Sequence, residues 1–466
     1  MALVATGVVA AACLDRPLTI EPVDLVIEGA RILEVRSGEV LEGRTIVVDD
    51  GRIVSVTGEG AESPPAKRVV DARARLVTPG LVDVHHHTAF VLGDSVSEGG
   101  GFIARLSMEP DSIAAYRDRF AEAYLPYGVT TVRDAGSDEA HAPMLVAWME
   151  PSPDAPDFHP VGGALGSEEE GRTPFPGHAV VRDSSDAVTK IRDYQEVGYR
   201  HIKLYWRLEE PEFAAALSEA RRLGLNVTGH VDFQVFPFER ALDLGLTSFE
   251  HAYTVGVGAM TREEFMAAWR EQTPEWYGAE ARGRFYLGVL EYFHLLGPEN
   301  PRVLALIDRL AETGSTVVPT LHIFAQRLGL TWHTTPSVGA FDDTSWLSPE
   351  QREHAIEGYR ILAGYVRRMH EAGVRLAIGT DWTDPGQAVL SEMLLLEDLG
   401  IPMMEVFRIA TLDGARAIGV ADEVGAVEPG LRAHLIVFDS DPLVDPRAIL
   451  GGKTVIKDGA VAHQAP

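Results

Sequence analysis

Two histidines one residue apart, His85 and His87, close the apolar run Gly80-Leu81-Val82-Asp83-Val84-His85-His86-His87. Side chains on a strand alternate faces, so Asp83, His85 and His87 share one face and His86 falls on the other with Val82 and Val84. Two imidazoles at that spacing can hold one metal ion. A histidine is as readily a packed or surface residue, so the pair alone leaves both readings open. Four further positions repeat the placement. Lys203 ends His201-Ile202-Lys203-Leu204-Tyr205, on the same face as Tyr205. His230 follows Val227-Thr228-Gly229, His251 follows Phe249-Glu250, and Asp381 follows Leu376-Ala377-Ile378-Gly379-Thr380. Each stands where an apolar strand gives way to a loop. Imidazole and carboxylate donors suit zinc or a similar divalent ion. A bare inward lysine carries a large desolvation cost, relieved by a carboxylate partner or by chemical modification; the competing reading lets it snorkel to solvent.

The elements that must carry these residues alternate. A helix is predicted from Asp186 to Val197, with Ala187, Ile191 and Tyr194 at helical spacing and Gly198 as its C-cap. A strand over Arg200–Tyr205 follows, then a helix over Glu212–Leu223, a strand over Leu225–Gly229, a helix over Phe238–Leu244 and a strand at Thr247-Ser248-Phe249. Three such units in a row imply a parallel sheet, and their repetition fits a (β/α)₈ TIM barrel over residues 79–423. In that fold the strand-to-helix loops form the catalytic face, where the site residues fall. Residues 18–78 and 424–466 read as β instead. Asp49-Asp50-Gly51 and Asp458-Gly459 have hairpin chemistry, and one small β-sandwich assembled from both chain ends is expected. Two stretches read as insertions or long loops, 255–297 and 329–353. The first carries Trp269, Trp276, Tyr277, Phe285, Tyr286, Tyr292 and Phe293, which could cover a pocket or pack on the barrel exterior.

Composition narrows the classes. The chain has 466 residues, 45% of them apolar, and a formal net charge of −28. That surface repels phosphate backbones, so nucleic acid is not an expected partner. One cysteine, Cys13, permits neither an internal disulfide nor a thiolate metal cluster. Residues 1–17 open with an uncharged apolar run ending Ala10-Ala11-Ala12-Cys13, similar to an export or lipoprotein signal without its basic start. Export, periplasmic or lipid-anchored at Cys13, is the expectation, against an apolar tail on a cytoplasmic protein.

The whole set resembles the amidohydrolase superfamily, over roughly residues 20–462. The family's strand-1 His-x-His matches His85 and His87, its strand-4 lysine Lys203, its strand-5 and strand-6 histidines His230 and His251, and its strand-8 aspartate Asp381. Thr78-Pro79-Gly80-Leu81-Val82-Asp83, Ala410-Thr411-Leu412-Asp413-Gly414-Ala415 and Gly425-Ala426-Val427-Glu428-Pro429-Gly430 are similar to family segments too. The imidazolonepropionase-related and prolidase-like branch is nearest. The resemblance implies two divalent ions, zinc first. His85, His87 and Asp381 would hold one and His230 and His251 the other, with Lys203, carboxylated by CO₂, between them. Imidazolonepropionase-like members lack that lysine, so Lys203 argues for two metals rather than one. Asp381 would carry the proton from the activated water to the leaving amine. The expected reaction is hydrolysis of an amide or peptide C–N bond in a small molecule or dipeptide, of the prolidase type. A cyclic-amide or deaminase-type hydrolase of a small heterocycle is the alternative, and a non-catalytic metal-bound binding protein a third. Tyr205 and His322, the latter near the predicted seventh strand's end, are candidates for contacting the substrate. Arg133 and Asp134 are expected as a structural ion pair beneath the site, and Trp382 as a pocket wall. A homo-oligomer is expected.

Overall fold

The computed structural model describes residues 21–465 apart from 59–60, 97–101, 169–176, 206, 232–236, 279–284 and 336–342. In chain order the strands are β1 (Val23–Glu34), β2 (Glu39–Asp49), β3 (Arg52–Thr57), β4 (Ala66–Asp71), β5 (Leu76–Pro79), β6 (Leu81–His86), β7 (Ser95–Val96), β8 (Phe102–Ile103), β9 (Val129–Asp134), β10 (Asp157–Pro160), β11 (Ala164–Ser167), β12 (His178–Val181), β13 (His201–Leu204), β14 (Asn226–Gly229), β15 (Ser248–Glu250), β16 (Thr316–Val318), β17 (Arg375–Leu376), β18 (Leu435–Phe438), β19 (Lys453–Lys457) and β20 (Ala460–Gln464). The expected export signal at 1–17 lies outside the described residues.

The central strands are parallel. β9 lies between β6 and β10, and β13, β14, β15, β16 and β17 follow one another in sequence order. The chain links the two sets at two places. β11 continues from β10 and pairs with β13 at Leu165 and Leu204. Beyond β17 the chain runs back along β6: Val84 N–H donates to the Ile378 carbonyl at 2.8 Å and Thr380 N–H to the His85 carbonyl at 3.0 Å. This is a TIM-barrel-type α/β fold, with helices between successive strands. Local chemistry sets their ends. The helix Ser184–Val197 starts on Asp183, whose carboxylate accepts from Asp186 N–H, and stops at Gly198 with φ 105. The helix Glu210–Arg222 buries Phe213, Ala216, Leu217 and Ala220, the face expected from spacing.

The two chain ends meet in one mixed sheet of order β20-β19-β18-β5-β1-β2-β3, with β4 beside β1. Both expected hairpins are there. Asp50 and Gly51 have φ 49 and 71, and Asp458 and Gly459 φ 49 and 75, the pair of left-handed residues that a tight turn between twisted strands requires. Leu25, Ile27, Ile32, Ile46, Val48, Val77, Leu435, Val437 and Ile456 form a separate apolar core for this sheet. An ion network ties it to the barrel floor. Lys457 is fully buried, and its ammonium contacts Asp157 at 2.8 Å and also Asp458. Arg432 spans the same two carboxylates, and His434 Nε2 lies 3.1 Å from Asp458. Asp157 opens β10, so the network sits at the N-terminal end of the barrel, away from the strand-end histidines.

The aromatic insertion is helical, with helices at Ala252–Gly258, Arg262–Ala267, Thr273–Tyr277 and Phe285–Leu296. Its rings divide between the two expected roles. Phe265, Trp269 and Tyr292 pack together, and Trp276 stacks on His354 with ring centres 3.6 Å apart. Tyr286 instead meets Trp382, beside the predicted site. The second stretch, expected as loop to Glu353, already turns into a long helix at Pro349, started by a reciprocal Ser348/Gln351 cap.

Candidate metal centre

β6 delivers His85 and His87, and the turn after β17 delivers Asp381. One donor atom from each lies within 4.8 Å of the others. His85 Nε2 and His87 Nε2 are each 3.5 Å from Asp381 Oδ1. His251 Nε2 lies 3.8 Å from Asp381 Oδ2. The His251 ring is 4.7 Å from those of His85 and His230, so the four imidazoles and the aspartate form one cluster. Lys203 is buried beside it on β13, 3.8 Å from Glu250 Oε1.

The other ring nitrogens test whether this cluster fits a metal. His87 Nδ1 lies 2.8 Å from the Gly136 carbonyl, which only accepts, so Nδ1 carries the proton there. His85 Nδ1 meets the Glu250 carboxylate at 2.6 Å with the same consequence. His251 Nδ1 meets Thr320 Oγ1 at 3.0 Å. In His85 and His87 this leaves the Nε2 lone pair toward Asp381, the outer-shell arrangement that metal-binding histidines use. Burial pulls the His85, His230 and His251 imidazoles below their usual range, keeping them neutral as ligands must be. His230 Nε2 contacts Tyr253 Oη at 3.0 Å. The donor set fits divalent metal.

A second group, Asp157, His434 and Asp458, is also close enough to be considered. Its carboxylates are already neutralised by Lys457 and Arg432. Two buried cations at the donor atoms repel a third, so that group is an ion network and not a metal site.

Glu250 organises the floor of the cluster. It is fully buried and accepts from His85 Nδ1, from Arg133 Nη2 at 2.6 Å and from Thr228 Oγ1. Burial pushes its carboxyl up, but the Lys203 and Arg133 charges and the hydrogen bond from His85 outweigh that and hold it well below the usual range. Burial pulls the Lys203 ammonium down to about 8, with Glu250 partly opposing. The expected Arg133–Asp134 pair is therefore not formed. Neighbouring strand residues point apart: Arg133 reaches Glu250, while Asp134 accepts from the Thr88 N–H and hydroxyl at 2.8 and 2.7 Å.

Glu250 precedes His251, so simple alternation would send the two to opposite faces. His251 has φ 64, a left-handed turn at the strand end that lets both face the centre. Thr320 (φ 51) and Asp381 (φ 49) end their strands the same way. Such strained residues cluster where surrounding structure holds a functional geometry. Asp83 supports the turn from below, accepting from Thr380 Oγ1 at 2.7 Å and from Tyr124 Oη at 3.2 Å.

Tyr205 lies beside the cluster, with ring centres 5.2 Å from His230 and 4.1 Å from His178. His322 does not line its open part. Its ring is fully buried, and neither nitrogen has a hydrogen-bond partner among the described residues. Burial pulls that imidazole down to about 3. The cause is the turn itself: the Leu321 and His322 N–H groups donate to Glu392 at 2.9 and 2.7 Å, pinning the segment inward. Trp382 is a buried wall residue as expected, packed on Phe90, Phe102 and Tyr286. Glu250, Tyr253 and His178 were not singled out from sequence; a carboxylate directly before a strand-end histidine was the one available signal.

Known proteins share this architecture. The profile of the amidohydrolase family matches residues 364–461. The imidazolonepropionase of Geobacillus kaustophilus (strain HTA426) is 23% identical over 465 residues, covering 91% of this chain and 92% of the relative. That of Streptomyces griseus subsp. griseus is 25% identical, covering 86% and 87%. Among solved structures, a prolidase complexed with N-methylphosphonate-L-proline superposes with a TM-score of 0.66 at 20% identity, over 95% of this chain and 100% of the other. The chain is thus similar to the amidohydrolase family over residues 364–461 and, over most of its length, to hydrolases acting on carbon–nitrogen bonds.

Proposed function

We propose that this chain is a metal-dependent hydrolase of an amide or peptide bond in a small molecule, a dipeptidase of the prolidase-like kind. The observation that carries it is the convergence of His85 Nε2, His87 Nε2 and Asp381 at the barrel mouth, each histidine's Nδ1 already committed to an acceptor. His85, His87 and Asp381 would hold one divalent ion, zinc first, and His230 and His251 the second, with Lys203 as the carbamate between them. Such ions supply a Lewis acid and a water acidic enough to ionise near neutral pH. Asp381 stands against both histidine Nε2 atoms and is partly open to solvent, placed to take a proton from water and return it to a leaving amine. Tyr205, beside His230 and His178, is placed to donate to a substrate oxygen. The lowered Lys203 value favours the neutral amine that reacts with CO₂.

The full-length likeness to imidazolonepropionases supports a second reading, hydrolysis of a cyclic amide or a heterocycle. We read the architecture as a closed (β/α)₈ barrel over 79–423 with a β-domain from both chain ends, in a homo-oligomer exported through residues 1–17. Metal analysis and a dipeptide-library screen of the metal-loaded protein test the main reading. Hydrolysis of Xaa-Pro dipeptides, lost in Asp381→Asn, supports it. Turnover of cyclic amides alone refutes it in favour of the second. Bound metal with no hydrolysis of any amide, lactam or ester would leave a binding protein.

A further inference from the structure

Among the described residues, the metal cluster is most open at His87 and Asp381. The side chain of His87 is 28% exposed and that of Asp381 19%, whereas those of His85, His251 and Lys203 are 1%, 4% and 2% exposed. A substrate must therefore arrive over His87 and Asp381. That edge is aromatic. The Phe90 ring lies 5.5 Å from His87, Phe102 4.7 Å from Phe90, and Trp382, the residue after Asp381, 5.8 and 6.0 Å from the two phenylalanines. The row continues through Tyr286, 6.2 Å from Trp382, and Phe324, 5.5 Å from Tyr286. Tyr253, 5.9 Å from Phe324, then closes on His230 at 5.9 Å. These residues follow strands β6, β15, β16 and β17, so one flank of the mouth is aromatic, with the Arg327 guanidinium 4.7 Å over the Trp382 ring. The opposite flank, after β13 and β14, carries Tyr205 beside His178 and His230.

The row is not sealed packing throughout. Phe90 and Phe102 are only half-buried, at the edge where the cluster meets solvent. Rings of this kind pair edge-to-face or offset with a further ring. Resting on the amide-hydrolase reading above, we propose that Phe90 and Phe102, backed by the buried Trp382, form a subsite for a flat apolar group next to the scissile C–N bond. The substrate is an amide bearing an aryl or similar planar substituent, its polar end toward Tyr205.

Four dipeptides test this on the metal-loaded, full-length protein. Phe-Pro against Ala-Pro places a phenyl ring on the acyl side, and Ala-Phe against Ala-Ala on the amine side. In at least one pair kcat/KM should favour the phenyl member by about 10-fold, the scale of one well-placed ring contact. Phe102→Ala should lower kcat/KM for that member by about 10-fold and for its partner by less than threefold. Phe102→Leu, which keeps the bulk, serves if the alanine variant does not fold. No phenyl preference in either pair overturns the proposal, as does an equal fall for both members in the variants. If none of the four is hydrolysed, the amide reading fails separately, and the subsite is judged by calorimetric binding of hydrocinnamate and propionate. Tighter hydrocinnamate binding that Phe102→Ala abolishes supports the subsite; equal binding overturns it.

Discussion

Replacing Glu250 by glutamine tests the floor of the site most directly. The change keeps volume and removes one charge from a fully buried position. Arg133 is equally buried, and Glu250 is its ion-pair partner, at 2.6 Å. Removing one partner of such a pair costs about 3–5 kcal/mol, because the other charge stays buried without compensation. A glutamine oxygen can still accept, so about 3 kcal/mol is expected for the metal-free protein. Its amide nitrogen must then face a donor, either Arg133 or His85 Nδ1–H, so the lock on the His85 tautomer loosens. Outer-shell losses of that kind weaken metal binding by about 10–100-fold. Urea unfolding of the metal-free protein, followed by tryptophan fluorescence, measures the first effect, and chelator competition the second. A stability loss under about 1 kcal/mol would show that Arg133 is solvated or paired elsewhere and would refute the reasoning. The double change Glu250→Leu with Arg133→Met should recover much of the loss, since it removes both charges together.

Two further outcomes are expected. Burial pushes the Glu392 carboxyl up from 4.5 to about 7, so the native state keeps a proton that the unfolded chain releases. Its contribution is complete below about pH 4.5 and is lost as pH rises toward 7, by up to about 3 kcal/mol. The stability difference between parent and Glu392→Gln, from urea titrations at pH 5 and 8, should shift toward the variant at pH 8; a constant difference contradicts this. A Cβ on Gly379 would sit 2.4 Å from Val318 Cγ1 and 2.6 Å from His85 Cβ, both in packed strands. Gly379→Ala should therefore displace His85 and lower bound metal at least 10-fold while leaving far-UV circular dichroism near native; unchanged metal content would show that the strands give way freely.

The residues of the candidate metal cluster were legible because they follow the alternation of a strand or stand at its end: His85 and His87 by spacing, Lys203 by its improbability among apolar neighbours. Glu250 was not, because its inward direction depends on the positive φ of His251, a tertiary outcome that no period encodes. His322 read as a candidate substrate contact near a strand end, but Glu392, 70 positions away, draws its backbone inward. The hairpins Asp50-Gly51 and Asp458-Gly459 announced the β-rich ends; a small sandwich from both was expected, and the ends meet in one mixed sheet. The partition of the aromatic insertion into exterior packing and site wall was not, since Trp269 and Tyr286 read alike in sequence and differ only in what their helices meet.

The pairing of β5 with β18 sets Pro79 against Leu435, about 350 residues later in the chain. During synthesis at roughly 5–20 residues per second, the first strands wait on the order of tens of seconds for that neighbour. Val77, Ile32 and Leu25 have no complete core over that interval, and the β5 edge is open to any other extended chain. The cation Lys457 that fastens the barrel floor emerges later still. A nascent chain of this protein thus exposes that edge until β18 has emerged, and a chain interrupted before β18 would carry an almost finished barrel with an adhesive edge.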